Sequence, residues 1–82
     1  MVMVDVFVPS MRENYNFNLD EQVFLKYLIP EIVDAICQKE NCFFEGKPES
    51  LVLCKTESRQ ILDRSKSLSR NGVMNGCRLL LL

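Results

Sequence analysis

The segment Leu68-Ser69-Arg70-Asn71-Gly72-Val73-Met74-Asn75-Gly76-Cys77-Arg78-Leu79-Leu80-Leu81-Leu82 decides the fold. It reads as a short helical turn, a tight turn and then a strand. Asn75-Gly76 accommodates a positive φ, because glycine has no Cβ to clash and asparagine can hydrogen-bond locally. The strand after it alternates only once, at Arg78, and is then apolar on both faces. That pattern predicts a central place in a sheet, with one face on a core and the other covered or used for binding.

Upstream, Leu51-Val52-Leu53-Cys54 is a short apolar run suited to an internal strand. A polar turn and a second, two-residue strand at Ile61-Leu62 follow it. At the start of the chain Val2, Val4, Val6 and Val8 recur at period two and define one face of a first strand, which Pro9-Ser10 ends. Asn14-Tyr15-Asn16-Phe17-Asn18-Leu19 alternates again, with Tyr15, Phe17 and Leu19 inward and the asparagines outward. The two runs form a hairpin joined by a longer loop. From Phe24 the period changes to four. Phe24, Leu28, Ile32 and Ile36, beside Leu25, Ile29, Val33 and Cys37, make one broad apolar helix face opposite Lys26, Glu31, Asp34 and Gln38. Pro30 interrupts that pattern, so either the regular helix begins near Tyr27 or the first turn is kinked at Pro30. Cys42 to Ser50 is loop-like, and Phe43-Phe44 within it are expected to cover one end of the core.

The whole is an α+β chain, a mixed sheet packed on one helix, with residues 1–82 read as a single domain. At 82 residues the core is thin. Every large apolar side chain is therefore structural first. The chain has no histidine, and Cys37, Cys42, Cys54 and Cys77 stand 5, 12 and 23 residues apart. This excludes the usual zinc spacings, a Cys-His pair and a Ser-His-Asp triad, so no metal, no cofactor and no enzyme activity are expected. Ser65, Ser67 and Ser69 are read as turn and cap residues, and Asp20-Glu21 as helix-start acids. Cys37 and Cys54 are read as small core hydrophobes and Cys42 as the most exposed thiol.

The opening Met1-Val2-Met3-Val4-Asp5 lacks the basic start of a signal peptide, and no apolar run approaches a membrane span. A cytoplasmic location with four free thiols and no direct membrane insertion is the expectation. Net charge is −1 and the isoelectric point about 5.3. Yet residues 1–50 carry four basic and nine acidic side chains, and residues 51–82 six basic and two acidic. Lys55, Arg59, Arg64, Lys66 and Arg70 are thus either part of a solvated surface or a basic face for an acidic partner. Nucleic acid is not expected, because no aromatic residues interleave with them in the sequence.

This order of elements resembles ubiquitin and its β-grasp relatives over nearly the whole chain. The narrower likeness is to the YukD/EsaB family of small bacterial ubiquitin-like proteins and the N-terminal domain of EccD-type membrane proteins, both tied to type VII secretion. It rests on Phe17-Asn18-Leu19, Val23 and Leu28-Ile29-Pro30-Glu31-Ile32, similar to the family's L-[LI]-P-x-[LI] helix sequence, and on Leu68 to Leu79, similar to its L-x-x-x-G-[IV]-x-[ND]-G-x-x-L closing pattern. The resemblance implies a β-grasp fold and a non-conjugated interaction protein serving secretion from the cytoplasm. It equally admits the cytosolic domain of a longer membrane-embedded component. A conjugated modifier or sulfur carrier is disfavoured, since the run Leu79-Leu80-Leu81-Leu82 stands where such proteins carry a Gly-Gly tail.

Parity then locates a surface. If Leu79 and Leu81 face the core, Arg78, Leu80 and Leu82 face away, and Val52 joins them if Leu51 and Leu53 point inward. Val52, Leu80 and Leu82 would form an apolar patch flanked by Arg78, on the face where the resemblance to ubiquitin implies a recognition patch. Its expected partners are proteins of the secretion machinery or a second copy of the chain, unless Phe43 and Phe44 fold over it.

Overall fold

The computed structural model describes residues 1–41 and 50–82. β1 (Val2–Val8) and β2 (Glu13–Leu19) form the expected hairpin, paired antiparallel from Val2 opposite Leu19 to Val8 opposite Glu13. The connection turns back at Arg12, which adopts a φ of 53°. α1 (Leu25–Glu40) follows and ends on Asn41, whose left-handed backbone lets its N–H reach the carbonyl of Cys37. β3 (Leu53–Lys55) and β4 (Cys77–Leu81) complete a four-stranded sheet in the order β2-β1-β4-β3. β4 runs parallel to β1 and antiparallel to β3. The terminal strand is therefore central, as its two-sided apolar sequence predicts.

The inner face of the sheet holds Val4, Val6, Val8, Tyr15, Leu19, Leu53, Leu79 and Leu81, all buried. Against them α1 buries Leu25, Leu28, Ile29, Ile32, Val33 and Ile36, and Leu62, Leu68 and Val73 close the core. Phe17, expected inside, is only half-buried and packs at the core's margin.

Several expectations need correcting. The helix begins at Leu25, ahead of the start near Tyr27, one of the two alternatives, because the N–H groups of Leu25 and Lys26 are taken by the carbonyls of Lys66 (2.9 Å) and Arg64 (3.0 Å). These bonds satisfy two of the donors that a helix start leaves open. Tyr27 and Leu28 both donate to the carbonyl of Phe24, a tightened first turn. Pro30 then sits inside the helix, which forgoes only the bond that an N–H at residue 30 would give to Lys26. Phe24 is displaced from the apolar face to the cap position and stands 46% exposed. No acidic residue lies in the first helical turn. Asp20 instead accepts from the N–H of Gln22, and Glu21 pairs with the Met1 amino group at 2.8 Å. The Ile61-Leu62 piece is not a strand of its own but a single antiparallel bridge between Ile61 and Cys54.

The closing segment does turn as its sequence suggests. Asn71 N–H donates to the carbonyl of Ser67 and Val73 N–H to that of Leu68, one helical turn closed at Gly72 with a φ of 74°. Asn71 also bridges sideways: its Oδ1 accepts from Asp63 N–H at 2.7 Å, and its Nδ2 donates to the carbonyls of Asp63 (3.0 Å) and Ser67 (2.9 Å). Gly76, with a φ of 84°, brings its N–H to the carbonyl of Met3, while Asn75 Oδ1 accepts from Met3 N–H. The turn before β4 is thus fastened to the start of β1.

Candidate interaction face

The register of the strands fixes what the outer face of the sheet presents. Paired residues on neighbouring strands point to the same side, so rows can be followed across the whole sheet. One row runs Asn14, Phe7, Leu80, Cys54, Ile61. The pair beside it, Val52 and Leu82, exchanges two backbone hydrogen bonds of 3.0 and 2.9 Å and carries β3's pairing one residue further. On the other side lies a polar row, Asn16, Asp5 and Arg78, with Thr56 N–H donating to the carbonyl of Arg78.

The four expected residues therefore share one face. Val52 and Leu80 are half-buried, Leu82 is 54% exposed, and Arg78 is exposed opposite Asp5. Three further members complete the surface. Phe7 lies beside Leu80, and the parity of Val6 and Val8 already turns it outward. Ile61, 63% exposed, lies beside Cys54. Cys54 is buried, yet its pairing with Leu80 sets it on the outer face, beside Ile61, and it is not part of the core cluster between sheet and helix. Phe43 and Phe44, expected as a cover, and Cys42 lie outside the described residues.

This surface has shape and polarity but no reactive centre. A shallow groove follows Asp5, Phe7, Asn14, Asn16, Thr56 and Arg78, with hydrogen-bonding groups along one side and apolar side chains along the other. Such a combination can hold a peptide segment or a facing protein surface by burial and a few directed bonds.

The basic residues do not act as one set. Lys55 Nζ donates to the carbonyl of Gly72 at 2.9 Å and an Arg64 guanidinium N–H to that of Leu51 at 2.7 Å, so both are turned to the chain's own backbone. Lys66 lies 4.0 Å from Asp63. The serines are local, as expected. Ser65 donates through N–H and Oγ to Asp63 Oδ1, and Ser67 Oγ accepts from Arg70 N–H. The Ser65 hydroxyl holds the Asp63 carboxyl below its ordinary range. Cys37, Cys54 and Cys77 are free thiols.

No family model matches the chain, and no curated protein matches it. Solved structures do. The chain is similar to the EccD5 ubiquitin-like domain from Mycobacterium xenopi, with a TM-score of 0.77 at 16% identity, over 99% of this chain and 91% of that one. It is similar to a ubiquitin-like domain of an Arabidopsis thaliana protein, with a TM-score of 0.71 at 14% identity, over 99% and 74% of the two chains. A computationally designed protein based on human erythrocytic ubiquitin gives a TM-score of 0.65 at 20% identity, over 100% and 90%. The fold is the ubiquitin-like β-grasp. Among the described residues no helix is long and apolar enough to cross a membrane.

Proposed function

We propose that this chain is a ubiquitin-like protein-interaction module that works by docking its outer sheet face, as an accessory or regulatory component of a type VII secretion system acting in the cytoplasm. The observation that carries the docking reading is the apolar surface of Phe7, Leu80, Cys54 and Ile61 with Val52 and Leu82, flanked by Asp5 and Arg78. Contiguous apolar area of this kind is uncommon on the free surface of a small monomer, and its polar flank supplies register. No step in this role requires catalysis, and none of the residues on the face forms an acid–base or nucleophilic pair.

The link to secretion is supported by the Leu28-Ile29-Pro30-Glu31-Ile32 sequence and by the likeness to the EccD5 domain. That likeness also favours a second reading, in which these residues are the cytosolic ubiquitin-like domain of a longer membrane-embedded secretion component. Either way the same face binds protein, in its simplest form a second copy of the chain. Replacing Leu80 and Leu82 with Ser should abolish association in sedimentation and pull-down measurements while leaving the fold intact. A folded double variant that keeps every contact of the native chain would remove this face from consideration.

A further inference from the structure

A second surface lies at the start of the helix, away from the outer sheet face. Phe24 and Tyr27 are 46% and 60% exposed, their rings nearly parallel at 9° with centroids 6.5 Å apart. Lys26 Nζ stands over both rings, 5.8 Å from the Phe24 centroid and 5.2 Å from that of Tyr27. Phe24 also bridges to Ser67 and lines a hollow with Gln22, Ser65, Lys66, Ser67 and Arg70. The two segments are locked together by the bonds from Leu25 N–H to Lys66 and from Lys26 N–H to Arg64. The helix N–H groups are thereby occupied, so the feature to explain is the side-chain cluster.

Its charge is unbalanced. Among the described residues neither Lys26 nor Arg70 has a carboxylate within ion-pair distance, and the partner of Lys66 is the exposed Asp63 at 4.0 Å. One oxygen of that carboxylate is already engaged by Ser65 at 2.6 and 2.9 Å. Three exposed cations thus surround a pre-stacked aromatic pair, and exposed Lys–carboxylate contacts as loose as that to Asp63 neutralise little. Flat aromatic side chains with few rotamers bind at low entropic cost, and a cation resting on their faces is positioned to take an anion.

We infer that this cluster is a docking site for a short acidic peptide segment carrying an aromatic or large aliphatic residue. The apolar residue lies against Phe24 and Tyr27, and the flanking carboxylates meet Lys26, Lys66 and Arg70. Charge complementarity selects a short segment over a long polyanion. The cluster gathers three of the chain's ten cations, whereas Asp20, Glu21, Glu31 and Asp34 lie along the adjoining sequence and the chain as a whole is acidic. A nucleic acid strand or an anionic membrane would have to approach those carboxylates as well.

The test is selection of short random peptides, displayed on phage, against the full chain, followed by titration of a synthesised winner. The expected winners carry Asp or Glu around Phe, Tyr, Trp or Leu. Their affinity should fall by roughly tenfold or more in the K26E/R70E variant and again in the F24A/Y27A variant. The Leu80→Ser, Leu82→Ser variant should bind them as the native chain does, which separates this site from the sheet face. Winners that are neutral or basic, an absence of winners, or affinity unchanged in folded K26E/R70E would overturn the inference. So would tighter binding of oligothymidylate or phosphatidylglycerol vesicles through the same residues.

Discussion

Replacing Asn71 with Ala should destabilise the domain well beyond the loss of one surface side chain. The Asn71 amide makes three bonds, accepting from Asp63 N–H at 2.7 Å and donating to the carbonyls of Asp63 and Ser67 at 3.0 and 2.9 Å. A net intramolecular hydrogen bond contributes about 1 kcal/mol, and the site is only part-buried, so the stranded groups can be partly rehydrated. The expected loss is about 2–3 kcal/mol, a large share of the roughly 5–15 kcal/mol that holds a domain folded. In a domain of this size it should lower the melting midpoint by roughly 8–24 °C. Urea unfolding followed by circular dichroism measures it, with the denaturant slope unchanged if only stability is altered. Asn71→Asp is the sharper arm. It keeps an acceptor for Asp63 N–H but sets a carboxylate against two carbonyls, so it should cost at least as much as Ala above the carboxyl pKa and less below it. A loss under about 0.5 kcal/mol for Ala, or an Asp variant as stable as the native chain at neutral pH, would refute the view that this amide ties the 63–67 segment to the closing turn.

Ile32, 1% exposed beneath the sheet, should cost about 2–5 kcal/mol when cut to Ala, and a cost below 1 kcal/mol in the same urea assay would mean that the helix face is not the centre of the core. Asp63 should titrate below its ordinary value of 3.8 in the folded chain, the Ser65 hydroxyl being the leading cause. Because the folded value is the lower one, its stabilising contribution is complete above pH 3.8 and is lost as the pH falls through the folded pKa. Carbon-detected NMR titration should find the value restored towards 3.8 by Ser65→Ala, and no change would show that the hydroxyl is not the cause.

What the sequence disclosed and what it concealed divide along a physical line. Val4, Val6, Val8, Tyr15 and Leu19 could be placed because period two is a property of the strand itself, and Leu28, Ile32 and Ile36 because period four is a property of the helix. The outer face followed as far as one strand's parity reaches. Val52, Leu80 and Leu82 were legible; Ile61 was not, since only its pairing with Cys54 shows which way it points. Phe24 was misplaced for a similar reason. Helical spacing puts it in line with Leu28, but the bonds from Leu25 and Lys26 to a segment some forty residues away set the boundary and leave it outside. The bonding of Asn71 was not legible either, because the Asp63 groups that it bridges are brought to it by the path of the chain between residues 63 and 71 and leave no periodic signal.

The sheet order has a consequence for the chain while it is being made. Within the domain β1 precedes the other elements, yet one of its two neighbours is β4, which follows them, and among the described residues β3 joins the sheet through β4. Until Cys77 to Leu81 have been synthesised, the hairpin and helix have no sheet to complete, and a two-stranded hairpin alone is marginal in water. Completion of the sheet therefore waits on the most sequence-distant strand pairing of the domain, the kind of contact that slows folding. A fragment ending before Cys77 should be digested by protease at the rate of an unfolded chain, and the five residues that follow convert it into a protected one.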